Sequence, residues 1–421
     1  MSMRAVHYSF LLLLAAAPAT YAWWSGRAMR RAIDDPALPE LLLARLRRIV
    51  QVTLVVIIAS AFLAAPSGFS VVVLFGVLAA QYPIRRVVYG DTWSFWQYVR
   101  FTSFGWIAFG GLWLFPFIAA GAVVELVRAY LPEPSPRQTM LGLALGVIAA
   151  VVYLVWHRYF TRVWLALHHA SPLEAAGVHA PLLPRFRAVL ERAGARLPVH
   201  PAAYRYGVPG GQIVNAVALC SLNERAVAMS DTLLANLDVD EATAVFAHEL
   251  AHHEHYTDAL LRRRRVASFM LAFLLAVIPA LQLALGMQYA FAFDVLLLAA
   301  ILAFFARGQQ GHRTHETECD LRAVDLTGDA DAVIRGLTKI HALSRMPRRF
   351  SQEFERAATH PSLAHRIQAI RAHASIAEQP SQGPTVVATT TPGAYVALDD
   401  TRSYWFDGAP ADAPLDLGAL R

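Results

Sequence analysis

Long apolar stretches alternate with polar ones along the chain. Seven of the apolar stretches run roughly over 6–24, 50–65, 69–83, 101–127, 140–156, 266–286 and 290–306. A helix needs about 20 apolar residues to cross a bilayer, so the pattern predicts seven transmembrane helices, with 69–83 the shortest. The 6–24 stretch, with Ala17-Pro18-Ala19 near its end, is read as a retained helix rather than a cleaved leader, because arginines follow it closely.

Between the fifth and sixth stretches the pattern changes. Leu183, Phe186, Val189, Leu190 and Ala193 repeat at helical spacing and Gly194 follows them. Residues 213–219 alternate as a strand does, and a turn at Asn223-Glu224 predicts a second strand over 225–229 and hence a small β-hairpin. Asp238-Val239-Asp240-Glu241 has the form of a capping box, which starts a helix.

Charge orients this arrangement. Arg27, Arg30, Arg31, Arg45, Arg47 and Arg48 lie between the first two apolar stretches, Arg85, Arg86 and Arg100 after the third, Arg262 to Arg265 before the sixth, and Arg307 and Arg313 after the seventh. The fourth connection has only Arg128 and Arg137, and the Pro66-Ser67-Gly68 and Met287-Gln288 connections have no charge. Arginine is retained on the cytoplasmic side during insertion. The alternation therefore predicts a multi-pass protein of a bacterial inner membrane, its amino terminus outside and its polar regions in the cytoplasm. Asp294, inside the last stretch, is a carboxylate that either faces an aqueous chamber or reaches the interface.

Composition agrees. Of 421 residues 56% are hydrophobic and only 16% charged, with a mean hydropathy of +0.40, where soluble domains carry about 25% charged residues. The net charge of +6 comes from arginines beside apolar segments, which favours a lipid bilayer over nucleic acid as partner. Cys220 and Cys319 form no C-x-x-C pair and imply no disulfide framework; both read as small packing residues.

The chemistry sits on the helix that the capping box starts. His248-Glu249-Leu250-Ala251-His252 places two imidazoles on one helical face, four residues apart, where both reach one zinc ion. Glu249 beside them suits a general base that takes a proton from water and returns it to the leaving amine. His253 and His255 read as surface or supporting residues. The third ligand is open: Asp258 imitates the extended metzincin spacing but has His255 where those enzymes have a glycine, and Glu316, Glu318 and His312 lie beyond the seventh apolar stretch. Glu316 and Asp320 share a helical face, so Asp320 suits a partner for a ligand imidazole.

Four elements occur in order: Asn215-Ala216 in a strand, the His248 to His252 motif, Glu316-x-x-x-Asp320, and His360-Pro361-Ser362 leading to Arg366-Ile367. With them, over roughly Asn215 to Ile370, the sequence resembles the membrane zinc metallopeptidases that include the type I CAAX prenyl proteases and the bacterial heat-shock membrane proteases. Cys319 stands where that family usually has alanine. The resemblance implies a zincin-type α+β metallopeptidase domain, one zinc per chain on His248, His252 and Glu316, and substrate-binding and oxyanion-stabilising roles for Asn215 and His360. It also implies an intramembrane chamber, and seven apolar stretches look like the CAAX-protease branch.

The expected organisation is mainly α: transmembrane helices one to five over 1–156, a cytoplasmic metallopeptidase region over 157–265, helices six and seven over 266–306, the rest of the peptidase domain over 307–375, and an extended Pro/Thr/Ala/Gly-rich tail over 376–421. The expected function is an integral-membrane zinc metalloendopeptidase acting on membrane-associated or misfolded proteins and peptides. A non-proteolytic zinc-binding scaffold or assembly factor is the rival.

Overall fold

The computed structural model describes residues 3–33, 35, 37–62, 68–110, 136–174, 177–194, 200–221, 224–257, 259–263, 265–266, 312–350, 355, 358 and 360–377. The amino-terminal part is helical: α1 (Met3–Arg31), α2 (Leu38–Phe62), α3 (Gly68–Val88), α4 (Phe95–Gly110) and α5 (Pro136–Leu167). The first, second, third and fifth apolar stretches fall on α1, α2, α3 and α5, and the fourth begins in α4. The sixth and seventh stretches, Asp294, the 111–135 segment and the tail lie outside the described residues. Among the described residues no helix is long and apolar enough to cross a membrane. These helices nonetheless carry large apolar side chains on their outer faces, among them Leu12, Leu13, Val50, Val55, Val72, Met140 and Val151.

After α5 come β1 (Ser171–Pro172), α6 (Leu182–Ala193), β2 (Ala202–Tyr206), β3 (Ala216–Cys220), β4 (Arg225–Ser230), α7 (Asp231–Asn236) and α8 (Val239–His255). The helix over the Leu183 to Ala193 pattern forms and is closed by Gly194, whose φ is +55°. The hairpin forms as expected, β3 antiparallel to β4, with the Ser221 amide donating to the Glu224 carbonyl across the turn. It is part of a larger sheet than the hairpin pattern indicated. β2 pairs with β4 in parallel, β1 pairs with β2, and the strand order is β1-β2-β4-β3.

β4 is buried on both faces, which its side chains divide strictly. Ala226 and Ala228 face Trp164 of α5, and Val227 and Met229 join the main core on the other side. Successive strand residues point to opposite faces, and the two alanines leave room for the indole. On the main-core side, α8 is held among α6, α9 (His312–Thr327) and α10 (Ala330–Leu343), and α11 (Leu363–Ala377) packs on α9 and α10. Phe246 of α8 stacks on Phe186 of α6, with centroids 4.0 Å apart. Phe246 and Leu250 are fully buried with Leu326, Val333, Leu337 and Ile367 around them, each such side chain contributing about 1.5–3 kcal/mol by leaving water.

Both ends of α8 are fixed. At its start the capping box is complete, the Glu241 amide donating to Asp238 and the Asp238 amide to Glu241. At its end the buried Arg225 guanidinium donates to the carbonyls of His253 and Tyr256 at 2.7 and 2.8 Å, satisfying acceptors that the helix leaves without partners. Gly336 lets α10 lie close to α8, since a Cβ there would stand 3.3 Å from the Glu241 carbonyl oxygen and 3.4 Å from Val245. The helical part is clasped to the sheet where the Arg85–Asp91 pair meets the loop before β3. Arg85 donates to the Gln212 carbonyl, and the Gln212 amide to Asp91, each at 2.7 Å.

Candidate metal centre

α8 and α9 cross with their chemistry facing inward. α8 presents the buried His248 and Glu249 and the partly buried His252, and α9 presents Glu316 and Asp320. Nε2 of His248 and Nε2 of His252 lie 3.2 Å apart, and each lies 3.6 Å from an oxygen of Glu316. One ligand atom from each of the three falls within 4.8 Å of the others. Two imidazoles and a carboxylate around one point are the donor set of a zinc site that keeps an open position, so these residues fit the ion that the sequence implied. Asp258, the rival third ligand, lies outside the described residues.

Asp320 stands behind this trio. Its Oδ1 is 2.9 Å from Nδ1 of His248, the nitrogen turned away from Glu316, and Arg366 of α11 grips both its oxygens at 2.6 Å. Burial opposes the Asp320 charge, but the Arg366 guanidinium outweighs it and holds the carboxyl below its usual range. Glu316 behaves likewise: burial pushes it up, and His248 and His360 draw it well below the normal carboxylate value.

The two imidazoles are polarised in opposite senses. Burial alone would depress His248, yet Asp320 and Glu316 raise it to about 10. Burial, with His248 close by, depresses His252 to about 3. His252 is therefore a neutral donor already, and His248 holds a proton that a dication would replace. Burial raises the Glu249 carboxyl to about 7, with His248 and the amide of Ala218 acting against that rise. A carboxylate with affinity for a proton near neutrality is what a general base requires.

These groups form part of the wall of a cavity of about 480 Å³. β3, an edge of the sheet, lines one side with Ala216, Val217 and Ala218; α10 and the segment after it line another with Val333, Leu337, Ile340 and Phe350. Asn215 and His360 both open onto it. The Asn215 amide donates to Ser230 Oγ, and its carbonyl accepts from the Ser230 amide, which fixes the start of β3. His360 is exposed and its Nδ1 stands 3.0 Å from Glu316.

His253, read as a surface or supporting residue, is fully buried, with its Nε2 at the Ala226 carbonyl and its Nδ1 3.0 Å from Cys220. His255 is exposed, against the ring of His315. His315, 3.1 Å from Nδ1 of His252, and His341, buried in the cavity wall, carried no signal at the sequence level. Arg366 stood within the quoted His360 to Ile367 element, but its ion pair could not be read from spacing.

Residues 184–374, which contain every one of these groups, match the model of peptidase family M48. No curated protein matches the sequence. Among solved structures, the crystal structure of S. mikatae Ste24p matches with 15% identity over 86% of this chain and 97% of that one, at a TM-score of 0.40. That likeness is too distant to place residues.

Proposed function

This chain carries a domain of peptidase family M48 over residues 184–374 and is a metallopeptidase, a hydrolase of peptide bonds; from that premise we propose an integral-membrane zinc metalloendopeptidase of the CAAX-protease kind. The observation that carries the proposal is the meeting of His248, His252 and Glu316 within 4.8 Å, with buried Glu249 beside them on the wall of a cavity that a strand edge borders. Its substrates are membrane-associated or misfolded proteins and peptides.

His248, His252 and Glu316 hold one zinc ion per chain, and Asp320 with Arg366 keeps the His248 ring in place. A bound zinc ion supplies a Lewis acid that polarises the scissile carbonyl and makes water more acidic. Glu249 accepts a proton from the attacking water and passes it to the leaving nitrogen. Its burial supports this, since the carboxyl releases that proton near neutral pH. Asn215 and His360 bind the substrate backbone and the oxygen that becomes negative during attack. An extended substrate lies along β3 as an added strand, its side chains against the apolar wall from α10.

The membrane placement is supported by the apolar outer faces of α1, α2, α3 and α5, with the arginine alternation giving a cytoplasmic peptidase domain. The test is cleavage of an unstructured reporter peptide by the detergent-solubilised, zinc-loaded chain. A metal chelator should abolish cleavage and added zinc restore it. Zinc-loaded protein that cuts neither peptides nor unfolded membrane proteins would defeat the proposal, and release of the chain from membranes by alkaline washing would defeat the integral placement.

A further inference from the structure

On the Nδ1 side of His252 lies a second group of donors that the peptidase reaction does not use. His255 ends α8, and His315 and Glu318 stand in the first turns of α9. A ligand atom from each lies within 4.8 Å of the others. The His255 and His315 rings are 3.6 Å apart between centroids, and Nδ1 of His315 is 3.9 Å from Glu318.

We propose that His255, His315 and Glu318 form a second site for zinc or a similar transition-metal dication. Imidazole, imidazole and carboxylate suit such ions. Ligand bonds of about 2.0–2.2 Å set tetrahedral donors about 3.4 Å apart. The donor atoms lie within 4.8 Å of one another, wider than that spacing; His315 is buried, whereas Glu318 is 66% exposed and His255 exposed, which leaves both room to turn inward. The inference rests on the catalytic assignment of His252.

The experiment is equilibrium dialysis of the detergent-solubilised full chain against rising free zinc, with peptidase activity read on the same samples. Two zinc ions should bind the wild type and one the His255→Ala/Glu318→Gln variant. The variant keeps the first centre and should retain peptidase activity. A zinc count that the double variant leaves unchanged overturns the inference. A count that Glu316→Gln leaves unchanged overturns instead the peptidase centre on which the inference rests.

Discussion

Arg366 reaches across from α11 to grip both carboxylate oxygens of Asp320 at 2.6 Å, and neither group has appreciable access to water. Breaking such a pair leaves a buried charge uncompensated, a loss of about 3–5 kcal/mol. Arg366→Ala should therefore lower thermal stability sharply, and Arg366→Lys should restore only part of it because an ammonium cannot fork. An Arg366→Ala protein as stable as wild type would show that the pair contributes nothing.

Asp320 also touches Nδ1 of His248 at 2.9 Å. Partners of this kind orient a ligand imidazole, and losing one costs about 10–100-fold in metal affinity. Asp320→Asn keeps the shape and removes the charge, so zinc should bind more weakly by that factor, as competition with a chromogenic chelator would reveal. Unchanged affinity would mean that the ring is held by packing alone.

Glu249→Gln should bind zinc as wild type does and lose about 100-fold or more in kcat, the usual share of a general base. Glutamine keeps the size of the side chain and its reach toward the Ala218 amide but cannot take up a proton. An active, zinc-loaded variant would sink the proposed role.

Glu316→Gln and Asp258→Asn divide the rival third ligands. The first should lose the zinc ion held with His248 and His252 and the second keep it, because Glu316 stands 3.6 Å from both histidines and Asp258 follows a helix end with no glycine to turn it back. Metal analysis of the two purified proteins decides between them, and zinc retained by Glu316→Gln alone would reverse the assignment.

The elements readable in the sequence were those whose reasons are local. A capping box needs four consecutive residues, an HExxH face one helical turn, and a hairpin two alternating runs with a turn between; all three formed. The parallel pairing of β2 with β4, and the packing of Ala226 and Ala228 with Trp164, more than sixty residues earlier, join segments that no window along the chain contains. The same holds for His315 against His252 and Arg225 at the end of α8. The burial of His253 was not legible because helical periodicity identifies a face but not what packs on it, and here β4 packs on it.

His341 supplies a test of pH dependence at a residue that is not a ligand. It sits buried in α10, and burial, reinforced by Arg366 and His360 against the opposing pull of Asp320, depresses its pKa to about 3. The unfolded chain takes up a proton here near the ordinary value of about 6.5, so below that pH it binds more protons than the folded one and stability must fall. The loss begins as pH drops through about 6.5, continues toward about 3, and has a slope of up to about 1.4 kcal/mol per pH unit for this one group. Buried His253, depressed to about 4 mainly by burial and by Arg225, despite the opposing Ala226 contact, adds a parallel loss over the upper part of that window. His341→Gln should flatten the fall in melting temperature between pH 6.5 and 4.5 relative to wild type, even if it lowers stability at pH 7.5. Parallel curves for the two proteins would show that His341 does not titrate on unfolding.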